Sequence, residues 1–294
     1  MGHEHGGRTR NRKRLKVVLV LTSTFLVAEV VGGLLTGSLA LLADAGHMLT
    51  DVGGLAMALI AMKFAERPPT PERTYGYHRV EILAAVANAV VLIVISAYIL
   101  YEAYERFRNP PPVASRMMLV IALLGLVVNL IGVGLLREGS GESLNVKGAY
   151  FEVLSDLLSS VGVIAAAGVM WGTGWYWADP LVSAGIGLFI LPRTWTLLKE
   201  GIGVLLEGTP ADVDLEAVRQ AMQSVPGVET VHDLHVWTIT SGMNALSAHA
   251  ALRDGVSGPD VLEALRRCVT TRFKIAHVTV QLEGAGCGDP QVHP

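Results

Sequence analysis

The sequence predicts a polytopic α-helical membrane protein of six transmembrane helices that ends in a small α+β domain. Three observations carry this expectation. Of the 294 residues, 51% are hydrophobic and only 17% charged, against about 25% charged in an ordinary soluble domain. Mean hydropathy is +0.45. The charge is also unevenly spread: residues 16–199 are mostly long apolar runs, whereas from Glu207 onward the chain reads like a soluble domain. The same figures exclude other classes. Whole-chain disorder is incompatible with so much apolar surface. A net charge of −3 and a pI near 6.3 do not suit a basic nucleic-acid binder. Two cysteines, Cys268 and Cys287, make neither a disulfide framework nor a four-cysteine zinc module.

The elements follow in order. Residues 1–15 form a basic tail. Residues 16–206 form the membrane domain, with spans expected at 16–36, 39–63, 80–105, 116–136, 148–171 and 176–199, since a bilayer crossing needs about 20 apolar residues. The first segment is too long for a signal peptide and no small-residue cleavage site follows it, so it is expected to stay as a span. Thr36-Gly37-Ser38 is a tight turn, and Asn109-Pro110-Pro111-Pro112 cannot continue a helix. Trp175, Tyr176 and Trp177 suit a membrane interface, and Asp179-Pro180 fits an N-cap and first helical residue. Basic residues cluster in the tail (Arg8 to Lys16), after span two (Lys63, Arg67, Arg73, Arg79) and after span four (Arg137, Lys147). This bias places both termini in the cytoplasm, with only Arg106, Arg108 and Arg116 discordant.

Residues 207–294 form the C-terminal domain. Apolar spacing predicts a helix over 213–225 that starts after Asp212, and a second over 259–273. Strand patterns cover 229–240, 245–252 and 276–283, the first two joined by a hairpin at 241–244. The order αββαβ predicts helices packed on one face of a sheet.

Ionisable groups at bilayer depth are costly and ask for a reason. Within the spans stand Glu29, Asp44, His47, Asp51, Glu152 and Asp156, with the amides Asn88 and Asn129. His47 and Asp51 are four apart, as are Glu152 and Asp156, so each pair shares a helix face. Two such helices facing each other would supply one imidazole and three carboxylates, enough for a four-coordinate divalent ion. A His–Asp pair can also be a plain helix–helix hydrogen bond, and acids can pair with bases. No Lys or Arg lies in the middle of a span, however, which favours a metal. Asp44 and Glu29 divide between structural roles and the ion or proton path, and the two amides read as interhelical hydrogen bonds.

A second set lies in the C-terminal domain. His232 and His249 on adjacent strands could converge with Glu283 on the last strand to hold a regulatory metal. His277, Thr279, Gln281 and Glu283 share a strand face by period two. His235, beside Trp237, reads as packing or an interface. His3 and His5 in the tail, and Cys287 with Asp289 and His293 at the end, are weaker metal signals. No metalloprotease, nucleophile-elbow or P-loop motif is present, so no catalytic cofactor is expected.

The stretches GSLALLADAGHMLTDV at 37–52, TYGYHRVEILAA at 74–85, NVKGAYFEVLSDLLSSVGV at 145–163 and VHDLHVWTIT at 231–240 resemble the cation diffusion facilitator family, in its bacterial cobalt–zinc–cadmium resistance branch. The resemblance implies a homodimeric exporter in the cell (inner) membrane, with a ferredoxin-like cytoplasmic domain, exchanging a divalent metal for protons by alternating access. It implies transport ligands at His47, Asp51, Glu152 and Asp156, and cytoplasmic ligands at His232, His249 and Glu283. Zn2+ is the first expected substrate, with Co2+ and Cd2+, then Mn2+ or Fe2+. Two features depart from the pattern: many zinc-selective relatives carry His where this chain has Glu152, and the loop 137–147 has no histidine. The alternatives are an intramembrane metalloenzyme or a membrane-bound metal sensor using the same ligands.

Overall fold

The computed structural model describes the backbone of residues 3–65, 67–137 and 144–284, and their side chains except at 3–15, 51, 54–65, 144–149 and 151–152. The helices α1 (His3–Thr36), α2 (Leu39–Ala65), α3 (Arg79–Arg108), α4 (Ser115–Arg137), α5 (Leu144–Thr173) and α6 (Ala178–Leu205) come first. The C-terminal elements are α7 (Leu215–Gln223), β1 (Val228–Thr240), β2 (Met243–Leu252), α8 (Gly258–Phe273) and β3 (His277–Glu283). Each predicted span therefore falls on a helix. Among the described residues, five of these helices are apolar over a membrane-crossing length, and α2 contributes the apolar run Leu39–Thr50. Away from their ends, helices satisfy backbone donors and acceptors within the segment, which the bilayer interior requires.

The chain forms two compact units. One comprises residues 1–59 and 87–198; the other comprises 60–86 and 199–294. In the first, α4 buries the stripe Met118, Ala122, Gly125, Asn129, Gly132 and Leu136, alternating by three and four along one helix face. Val120, Leu124, Val127 and Ile131 of the same helix are exposed, as a lipid-facing surface would be. Close approach depends on small residues: a Cβ on Gly125 would lie 2.4 Å from the Phe25 ring of α1. Ala40, Leu41, Met118, Ala122, Val163 and Ala166 form a core among α2, α4 and α5.

Gly37, with φ +70°, lets the chain reverse between α1 and α2. The start of α2 is held by a residue far along the chain. Asp179, fully buried, accepts hydrogen bonds from Ser38 Oγ (2.6 Å), Leu39 N (2.9 Å) and Ala40 N (3.2 Å). Arg106 Nη1 lies 3.6 Å from the same carboxylate and donates to Gly37 O. Two expectations are corrected here. Asp179 sits inside α6 rather than capping it, and its carboxylate caps α2 instead. Arg106, discordant as a topology signal, is the partner of this buried acid.

In the second unit, β1 pairs antiparallel with β2, and β2 parallel with β3, in the order β1-β2-β3. Val218, Met222, Leu246, Val261, Leu265 and Val269 join the two helices to one sheet face, the αββαβ arrangement expected. The first helix starts two residues later than its spacing suggested. Its cap is Asp214, whose Oδ1 accepts from Glu216 N and Ala217 N. The start of α3 belongs to this unit as well. Arg79 Nη2 donates to Glu207 Oε1 (2.9 Å), and the Glu81 carboxylate accepts from Thr240 Oγ1 (2.6 Å) and Ser241 Oγ (3.0 Å).

Replacing Asp179 by Ala uncaps α2 and leaves Arg106 with Glu102 as its remaining acidic partner. The expected cost is about 1–2 kcal/mol, that of losing a helix N-cap. Unfolding midpoints in detergent, with Asp179→Asn expected to fall between, check this; an unchanged midpoint for Asp179→Ala contradicts it.

Candidate metal centres

Helix α2 brings His47 inward and α5 brings Asp156 to meet it. His47 Nε2 lies 3.3 Å from Asp156 Oδ1, and both side chains are buried. Asp51 stands four residues further along α2 and Glu152 four residues earlier on α5. Their side chains lie outside the described residues, so the structure shows one half of the expected set of four.

More acid surrounds this contact. Asp44, on the His47 helix, accepts a 2.5 Å hydrogen bond from Ser159 Oγ of α5. Glu29 of α1 is buried near Asp44. Its Oε2 has no hydrogen-bond partner among the described residues. The bundle thus gathers carboxylates from three helices. A basic residue, Arg193 of α6, also stands within electrostatic reach of His47. Its position near the end of its predicted span made it look peripheral. The amides behave as expected: Asn129 Nδ2 donates to Ser160 Oγ (3.2 Å) and Asn88 Nδ2 to Thr50 O (3.2 Å).

The C-terminal sheet assembles a second cluster. His232 and His249 are direct partners across β1 and β2, with ring centroids 5.4 Å apart. Glu283, paired with Ala251, arrives on β3. His232 Nε2 lies 3.1 Å from Glu283 Oε2, and His249 Nδ1 2.9 Å from Glu283 Oε1. One ligand atom from each of the three residues lies within 4.8 Å of the others, the spacing from which a single ion could draw two nitrogens and an oxygen. Two nitrogens and a carboxylate suit Zn2+ and neighbouring divalent ions better than soft Cu+.

A β-bulge shapes this face. Between His232 and His235, β1 advances three residues while β2 advances two, from His249 to Ser247. Asp233 takes the extra place with φ +49°, a left-handed conformation that Asp tolerates. Strict period two would put His232 and His235 on opposite faces. The bulge returns His235 to the face of His232 and turns Leu234 and Val236 into the core. His235 is exposed and lies 2.8 Å from Asp233 Oδ1, so of the two roles expected for it, packing or an interface, it is not packed within this chain. Asp233 was overlooked because a single inserted residue leaves no periodic signal. His277 stands apart from the cluster, with its Nε2 3.4 Å from Tyr75 OH. The side chains of His3 and His5, and residues Cys287, Asp289 and His293, lie outside the described set.

Comparisons with known proteins bear on both regions. Residues 15–206 match the family model described as the cation efflux transmembrane domain, and residues 210–285 that of the cation efflux protein, cytoplasmic domain. The chain is 51% identical to the metal cation efflux system protein CzcD of Cupriavidus metallidurans, covering 97% of this chain and 91% of the relative. It is 44% identical to the cadmium, cobalt and zinc/H(+)-K(+) antiporter of Bacillus subtilis, with coverages of 96% and 92%. It is 41% identical to the zinc transporter ZitB of Escherichia coli, covering 100% and 96%. Among solved structures, the metal-bound C-terminal domain of the C. metallidurans CzcD transporter matches with 40% identity over 24% of this chain and 99% of that one, at a TM-score of 0.23.

Proposed function

The chain belongs to the cation efflux (cation diffusion facilitator) family, and from that premise we propose that it exports divalent metal ions, Zn2+ first and Co2+ and Cd2+ with it, in exchange for protons. The observation that carries the reading is the meeting of His47 and Asp156 between α2 and α5, inside the segment that matches the transmembrane family model. The named relatives are transporters of these metals, so neither the metalloenzyme nor the sensor reading is favoured.

The transport site in this proposal is His47, Asp51, Glu152 and Asp156. One nitrogen and three oxygens make a harder set than a two-histidine site, which admits Zn2+, Co2+ and Fe2+ and raises Mn2+. Ligands bind metal only when deprotonated, so protons and metal compete for the same atoms. Facing the cytoplasm, the ligands lose protons and take the ion. Facing an acidic exterior, His47 and one or more carboxylates take protons and let the ion go. That competition couples the two fluxes without ATP, and the B. subtilis relative is named for exchange with H(+). The proposal includes a homodimer in the inner membrane with both termini cytoplasmic, an orientation supported by the basic tail and even loops. His232, His249 and Glu283 would hold a regulatory metal whose binding favours one arrangement of the two subunits.

Three outcomes test this. In metal-loaded proteoliposomes with an imposed pH gradient, Asp51→Ala and Asp156→Ala should lower transport about 100-fold or more, since even groups that only orient a ligand are worth 10–100-fold. Gradient-independent transport unaffected by either change would overturn the proposal. Glu152→His adds a second group whose unperturbed pKa is near 6.5. It should shift the external pH dependence and raise preference for Zn2+ over Mn2+, and identical metal profiles would contradict that. His249→Ala should blunt activation by cytoplasmic metal while leaving transport at saturating metal within about twofold, a smaller loss than any transport-ligand change; an unchanged concentration dependence would remove the regulatory role.

A further inference from the structure

We infer that Asp233 is a positioning residue for the cluster of His232, His249 and Glu283: its carboxylate holds the far side of the His249 ring and so presents Nδ1 to the ion. The inference rests on the reading of those three residues as metal ligands. It starts from the placement of His249 between two carboxylates. Nδ1 lies 2.9 Å from Glu283 Oε1, and Nε2 lies 3.6 Å from Asp233 Oδ2.

A neutral imidazole has one nitrogen that donates and one that accepts. The nitrogen that binds a metal must offer its lone pair, so the proton sits on the other. Glu283, whose other carboxylate oxygen meets His232 Nε2, lies on the Nδ1 side, which makes Nδ1 the ligand atom and Nε2 the proton carrier. Asp233 is the acceptor that faces Nε2. At 3.6 Å the carboxylate stands just outside hydrogen-bond distance of that nitrogen, and no other acceptor meets it among the described residues. A carboxylate so placed fixes the tautomer and makes the ligating nitrogen more basic.

The fold builds this contact on purpose-shaped backbone. Asp233 is the residue inserted by the bulge of β1, in a left-handed conformation. Without that insertion, the neighbour of His232 would point into the apolar core beside Val231 and Leu246. His235 Nε2, 2.8 Å from Asp233 Oδ1, steadies the carboxylate from the side away from His249. His235 and Asp233 thereby have one explanation: they orient His249 and do not ligate the ion themselves.

Zn2+ titration of the full chain carrying Asp156→Ala, which disables the transport site, tests this. Asp233→Gly is the chosen variant because glycine keeps the left-handed backbone and removes only the carboxylate. His249→Ala first identifies the binding that belongs to the cluster. Asp233→Gly should weaken that binding 10–100-fold, and should add no further loss when His249 is already Ala. A role in holding the bulge alone would give the same loss in both backgrounds. If His249→Ala binds Zn2+ as its parent does, the ligand reading itself falls. If His249→Ala weakens binding but Asp233→Gly does not, or if Asp233→Gly weakens it equally without His249, the positioning role falls.

Discussion

A carboxylate inside a bilayer-spanning bundle must be matched by a donor, a proton or a cation, and much of this molecule is arranged around that requirement. Asp179 is matched internally: two backbone amides, a serine hydroxyl and Arg106 surround it, and in return it fixes where α2 begins. Asp44 is matched by Ser159, and Asp156 by His47. The first set is closed by protein groups and reads as structure. The second gathers several acids around one imidazole, with Arg193 within electrostatic reach and an oxygen of Glu29 that no described residue satisfies. In the proposed transport role, a cation that arrives and leaves would complement the second set and would be superfluous in the first.

The C-terminal domain solves a different problem, that of bringing three side chains from three strands to one point. Antiparallel pairing puts His232 opposite His249, and parallel pairing of β2 with β3 adds Glu283 one step along. The bulge at Asp233 then decides what lies beyond the three ligands. It moves His235 onto the same face and sets a second carboxylate on the outer side of His249. One inserted residue thus converts an alternating strand into a surface that carries the proposed ligand set and its proposed support.

Much of this was legible in the chain. The six apolar runs, the αββαβ order and the i, i+4 pairing of His47 with Asp51 and of Glu152 with Asp156 all come from periodicity, which a helix or strand imposes on its own residues. The amides Asn88 and Asn129 were readable for the same reason, since each is polar on an otherwise apolar helix. What escaped notice has a common character. Asp179 caps a helix 140 residues away in sequence, Arg193 stands within electrostatic reach of a histidine of another helix, and Asp233 owes its role to a break in strand register. None of these leaves a local pattern.

The sequence by itself determined that this is a six-span membrane protein with a small α+β domain, and which buried residues have the chemistry to hold a metal. Local spacing suffices there, because the bilayer and the helix fix length and face without reference to the rest of the chain. Only the tertiary structure decided which acids are closed off by protein partners, that α2 and α5 bring His47 against Asp156, and that Asp233 stands behind His249. Those outcomes depend on which helices and strands become neighbours and in what register, and that is a property of packing between segments, not of any one segment.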